Sequence, residues 1–134
     1  MVGGFGGVDI YKATRKEDGS WTKPVNMGNK INTEGNETFP SIHESGNMLF
    51  FASDGKLGLG GLDVFVAQLT NGKVGKVENL KAPVNSSRDD FAFVLDGNEK
   101  GGFFSSNREG GKGDDDIYSF KLLKIGRASC RERV

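Results

Sequence analysis

One cysteine, one histidine, one tryptophan and three prolines stand in a chain of 134 residues. Their scarcity excludes several readings. A lone thiol, Cys130, cannot form a disulfide framework within the chain, and says nothing about compartment. No apolar run approaches the roughly 20 residues of a membrane-spanning helix. No signal peptide is visible after Met1, an absence without weight in a truncated chain. Net charge is also absent, with 18 basic residues against 18 acidic. Setting aside positions 124–134 leaves 14 basic and 17 acidic residues, a mildly acidic body with no basic stripe for nucleic acid. What is abundant is glycine, at 21 residues, which with the lack of long apolar stretches argues against a helical bundle.

The chain repeats itself. Gly60-Gly61-Leu62-Asp63-Val64-Phe65 echoes Gly6-Gly7-Val8-Asp9-Ile10-Tyr11, and Asp114-Asp115-Asp116-Ile117-Tyr118 echoes both. Asp9 to Asp63 is 54 residues and Asp63 to Asp116 is 53. Ile31-Asn32-Thr33 recurs as Val84-Asn85-Ser86, and Ala52-Ser53-Asp54 as Ser105-Ser106-Asn107. A period of this size marks an array of similar units, none of which buries its apolar face alone.

Within a unit the pattern is that of short strands. Gly7–Ala13 alternates apolar and polar residues, Glu17-Asp18-Gly19-Ser20 reads as a hairpin turn, and Trp21 and Val25 continue the apolar side. Phe39–Ile42 begins another strand, and Glu44–Asn47 turns it. Met48–Ser53, the most apolar stretch, is expected deep between neighbouring sheets. A glycine-rich loop, 54–61, then leads into a strand at Leu62. The second unit repeats the order, with turns at Thr70–Lys73 and Asp96–Glu99 and a deep strand at Gly102–Ser106. The phenylalanines at 39, 50, 51, 91, 93, 103 and 104 are expected to pack the core. Four short strands per unit predict an all-β fold, part of a β-propeller with about two blades of four antiparallel strands. Closed propellers need at least four blades, so the 1–123 region reads as partial.

The linked motifs resemble the WD40-like (PD40) propeller repeats of OmpA-family cell-envelope proteins, especially of the Bacteroidetes type. The matching residues are Gly-Gly-x-Asp-Ile-Tyr and Gly-Gly-Leu-Asp-Val-Phe, Trp21-x-x-Pro24-Val25-Asn26-Met27-Gly28 and Ile31-Asn32-Thr33. Further matches are Phe51-Ala52-Ser53-Asp54-Gly55, Pro83–Ser87 with Asp89-Asp90-Phe91, and Phe104–Arg108. The pattern is departed from at Lys76-Val77, where a second tryptophan motif is missing, and at Ala92, where glycine is commoner. The resemblance implies a periplasmic or outer-membrane-associated location and a non-catalytic scaffold or binding role, with envelope proteins or glycans as partners. Peptidoglycan would be reached only through a further domain of the kind that often follows such propellers. The alternatives are the non-catalytic propeller part of an envelope hydrolase and a calcium-stabilised surface module.

Positions 124–134, Lys-Ile-Gly-Arg-Ala-Ser-Cys-Arg-Glu-Arg-Val, break the pattern and are basic. They resemble the translation of a sequencing-adapter oligonucleotide, which would make them a non-native or disordered tail on a chain cut near Leu123. The rival reading is a native basic tail that binds phosphate or membrane.

No catalytic constellation emerges. His43 reads as an exposed loop histidine without a patterned partner, and Ser53 and Ser106 lack a repeated histidine base. The 54–61 loop lacks the Gly-Lys-Ser/Thr ending of a phosphate loop and precedes a strand. Oxygen-rich loops offer the remaining chemistry. Asp54, Asp63, Asp114, Asp115 and Asp116 are candidate ligands for Ca²⁺, which takes about six to eight oxygens. The simpler reading is that the aspartates at 9, 63 and 116 accept backbone N–H bonds and lock the turn before each strand.

Overall fold

The computed structural model describes residues 6–122 and the backbone of 128–133. The described chain is all-β, in three antiparallel sheets. The first holds β1 (Tyr11–Lys12) and β2 (Val25–Asn26). The second is a meander of β3 (Glu37–Ile42), β4 (Met48–Ser53), β5 (Asp63–Thr70) and β6 (Lys73–Asn79). The third runs in the same order through β7 (Asp90–Leu95), β8 (Gly101–Ser106), β9 (Asp116–Leu122) and β10 (Ala128–Arg133). No closed ring or barrel forms among the described residues.

The hairpins follow from their turn chemistry. Thr70 pairs with Lys73 across Asn71-Gly72, both at positive φ, the two-residue turn whose twist suits paired strands. The step from β3 to β4 carries a bulge between Thr38 and Ser41, and the step from β7 to β8 carries its counterpart between Phe91 and Val94. Phe39 and Ala92, 53 residues apart, sit at φ 52° and 54° in those bulges.

The second sheet is the middle layer. Leu49, Phe51, Phe65, Ala67 and Leu69 face the first sheet and form a core with Ile10 and Ile31. Phe50 and Val64 face the third sheet, packing with Val84, Phe93, Phe104, Tyr118 and Phe120. Strict alternation along β4 sends Phe50 and Phe51 into different cores, which is why this strand lacks a polar face. Each buried phenylalanine contributes about 1.5–3 kcal/mol of burial free energy.

Several expectations need correction. The first strand is short, two residues rather than Gly7–Ala13. Phe50, Phe51, Phe93 and Phe104 are core, but Phe39 is 44% exposed, with its ring 4.9 Å from that of Phe91, and Phe103 is 46% exposed. Trp21 and Val25 are exposed as well, because no layer covers that side of the first sheet among the described residues. In the 124–134 tail, the backbone of Ala128–Arg133 pairs antiparallel with β9 from Tyr118 to Leu122, the place that Lys73–Asn79 hold beside β5. Gly3–Phe5, 123–127, Val134 and the side chain of Cys130 lie outside the described residues.

Candidate functional site: a repeated polar seam between sheets

The buried polar side chains are concentrated where one unit meets the next, and they repeat. Asn32 folds back on the residue just before β1: its Oδ1 accepts from Ile10 N at 2.8 Å, and its Nδ2 donates to Ile10 O at 2.9 Å and Asn26 Oδ1 at 2.9 Å. Asn85 does the same to β5, with Val64 N at 2.6 Å, Val64 O at 2.9 Å and Asn79 Oδ1 at 2.9 Å. A primary amide offers both a donor and an acceptor, so one side chain satisfies both backbone groups of a buried residue. Aspartate or leucine at these positions would strand at least one of them.

Next to each amide lies a fully buried carboxylate. Glu37 accepts from Thr33 N (2.8 Å), Thr33 Oγ1 (2.6 Å) and Ser53 Oγ (2.6 Å). Asp90 accepts from Ser86 N (2.6 Å), Ser86 Oγ (3.0 Å) and Ser106 Oγ (2.7 Å). The repeated serines are therefore donors to a structural carboxylate. Asp90 is also paired with Arg108 at 2.9 Å, and that guanidinium donates to Pro83 O and Val84 O and lies 5.1 Å from the Phe104 ring centroid.

The Gly-Gly-x-Asp motif gains its physical cause here. Val8 N donates to Asn36 Oδ1 at 3.0 Å, and Leu62 N to Asp89 Oδ1 at 2.8 Å. A Cβ on Gly7 would meet Asn36 Oδ1 at 2.4 Å, and one on Gly61 would meet Asp89 Oδ1 at 2.2 Å. The glycines admit the next unit's loop. In the third copy Asp114 takes the place of Gly61 and is exposed.

The aspartates singled out as calcium candidates do not converge. Asp54 accepts from Asn36 N at 2.7 Å and Asn36 Nδ2 at 3.1 Å. Asp63 Oδ2 accepts from Leu59 N at 2.5 Å and Gly60 N at 3.5 Å, closing the loop before β5. Asp116 Oδ2 accepts from Gly113 N at 3.3 Å in the corresponding loop. Gly58 and Gly111 lie so close that a Cβ would come within 1.6 and 1.8 Å of these carboxylates. Asp114 and Asp115 are exposed. Among the described residues no group of three or more His, Cys, Asp or Glu side chains is placed to hold a metal ion. Burial pushes the Asp63 carboxyl above its ordinary range, against the pull of the Leu59 and Gly60 N–H groups.

His43 is the clearest miss. It is 4% exposed rather than a loop-surface residue. Nε2 lies 2.8 Å from Asp96 O, an acceptor only, which places the ring proton on Nε2; Nδ1 then accepts from Ser45 N at 3.2 Å. The ring thus ties the Glu44–Asn47 turn to Asp96 at the start of the corresponding turn one period on. The signal was in the sequence, since His43 and Asp96 are 53 residues apart. The functional residues that sequence reasoning missed are Glu37 and Asp90 with their hydroxyl donors, visible only as Thr33/Ser86 and Ser53/Ser106 in register.

No protein-family model, curated protein or solved structure matches the chain. No helix among the described residues is long and apolar enough to cross a membrane.

Proposed function

We propose that the chain is part of a non-catalytic β-propeller, serving as a scaffold or binding module of the bacterial cell envelope. The observation that supports this reading is the seam. The same amide clamp and the same hydroxyl-bound carboxylate fasten the first and second sheets to the loop that follows each, at a 53-residue step. Polar groups committed in this way hold layers in place and are not free to transfer protons or attack a substrate. The two four-stranded meanders supply the strand order of blades. The envelope location rests on the motif resemblance alone.

The test is to assay the purified chain against envelope glycans and isolated peptidoglycan for binding, and against ester, peptide and glycoside substrates for turnover. The expected result is glycan or protein binding without turnover. Hydrolysis abolished by Ser53→Ala or Ser106→Ala in a folded variant would replace the scaffold with an enzyme. The calcium-stabilised alternative is tested by melting in Ca²⁺ and in chelator, where a chelator-sensitive midpoint is its signature.

A further inference from the structure

We propose that the cleft between the β1–β2 and β5–β6 hairpins binds a small organic anion, whose phosphate or carboxylate group is held by Lys12 and Lys73. The proposal stands on the geometry and charge of that cleft and is independent of the envelope reading.

The cleft has a volume of about 420 Å³, a size that suits a small molecule. Its walls come from two adjoining units: Lys12, Thr14, Thr22 and Val25 from the β1–β2 hairpin, and Lys73 and Val74 from the β5–β6 hairpin. Lys12 Nζ donates to Gly72 O at 3.3 Å, and Lys30 Nζ donates to Val74 O at 3.4 Å. Both bonds are longer than an ordinary N–H···O bond, and each ammonium keeps two further donors. Among the described residues none of Lys12, Lys30 and Lys73 forms an ion pair. Three uncompensated cations around one hairpin make the cleft attractive to anions. Thr22 Oγ1 accepts from Thr14 N at 2.8 Å, which leaves the hydroxyl hydrogen to donate to a ligand. Val25, 65% exposed, and Val74 offer apolar surface to the body of the same ligand.

The repeat does not call for these cations. Lys12 pairs with Val25 as Val66 pairs with Glu78, so a valine and a glutamate stand at the equivalent places of the second sheet. Gln68 stands at the place of Thr14, and Pro83 at the place of Lys30. The residues that lock the units together keep their chemistry across the same step: Asn32 and Asn85 clamp the backbone, and Thr33 and Ser86 bond a carboxylate. Asn26, at the edge of the cleft, belongs to that locking set. Its Oδ1 accepts from Gly28 N and Asn32 Nδ2, and its Nδ2 donates to Asp9 Oδ2. The lysines are therefore an addition to the repeat in one unit. Like charges gathered without a counter-charge repel one another, and a bound anion relieves that repulsion.

The test is an NMR titration of the full nitrogen-15-labelled chain with glucose 6-phosphate, with glucuronate and with neutral glucose. Saturable shifts are expected at the backbone amides of Lys12, Thr14, Thr22 and Lys73, with a Kd of about 1 mM for at least one of the charged sugars. The tighter of the two tells phosphate from carboxylate, and glucose should move none of these signals. Lys12→Gln and Lys73→Gln should each weaken binding about threefold to fivefold, and added salt should weaken it further. Lys112→Gln, an exposed lysine in the 107–113 loop, is the control and should leave binding unchanged. Lys12 and Lys73 are exposed, and unchanged signals outside the cleft show that their variants fold. Shifts that fail to saturate by about 50 mM, shifts centred elsewhere, or binding of glucose as tight as that of the charged sugars overturns the proposal. So does a loss from Lys112→Gln equal to that from Lys12→Gln, because the attraction would then belong to surface lysines in general.

Discussion

Two buried carboxylates at equivalent places, Glu37 and Asp90, are neutralised in different ways. Both are fully buried and both take an amide N–H and two hydroxyls. At Asp90 the guanidinium of Arg108 completes the site, bonding the carboxylate and two main-chain carbonyls. At Glu37 the place of Arg108 is held by Gly55, where a Cβ would meet Thr33 Oγ1 at 1.9 Å. The cation comes instead from the next residue, Lys56, whose Nζ donates to Lys30 O at 2.8 Å, the carbonyl equivalent to that of Pro83. Lys56 feels Glu37 only at a distance. A planar fork reaches several acceptors at once, and an ammonium on a flexible stem does not. The longer Glu37 and the shorter Asp90 thus belong to two solutions of one problem, in which carboxylate length, cation type and the neighbouring glycine change together.

The largest test of this contrast removes each cation. Arg108→Ala leaves Asp90 buried and uncompensated, and should cost about 3–5 kcal/mol in denaturant unfolding. Lys56→Ala should cost about 0–1 kcal/mol. Equal losses would refute the distinction. A smaller effect is expected where the units exchange acid and amide. Asn36 bonds Asp54 in the first unit, whereas Asp89 bonds Asn107 in the second. Asn36→Asp sets two carboxylates against each other, for a loss of about 1 kcal/mol that Asp54→Asn should restore in a double-mutant cycle. Ala92→Gly relieves a left-handed residue in the bulge at the expense of chain entropy, and should raise stability by up to about 1 kcal/mol.

The smallest effect is in pH. Burial lowers the Lys56 pKa, and Glu37 opposes this by raising it. The unfolded chain then binds the Lys56 proton more tightly than the folded one. Stability from this group therefore rises with pH between the lowered folded value and the ordinary lysine value of 10.5. Melting curves of the chain and of Lys56→Met across that window should diverge in this direction; parallel curves would remove Lys56 from the account.

Much of the layering was legible, because the 53-residue step of the Gly-Gly-x-Asp and Ile-Asn-Thr motifs survives in the residues themselves. The deep placement of Met48–Ser53 followed from its apolar run. What the residues concealed was backbone shape. Gly46 and Glu99 share the left-handed conformation one period apart, as do Phe39 and Ala92, though neither pair shares a side chain. The polar seam was concealed for a related reason. Thr, Ser, Glu and Asp in turns look like solvated loop residues until the register places them under the next unit. Exposure of Trp21 and Phe103 was illegible because burial depends on which faces have neighbours, a property outside local patterning.

The exchanged acid and amide bear on how such repeats can be shuffled. A recombination joining the first half of one unit to the second half of the other, anywhere between the partners at 36 and 54 or 89 and 107, separates each acid from its amide. One product inherits Asn36 with Asn107 and retains a donor and an acceptor on each side. Its reciprocal inherits Asp89 with Asp54, two anions and no side-chain donor. Crossovers within this interval are therefore unequal in outcome, and units are exchangeable without loss only when the whole interval moves as one block.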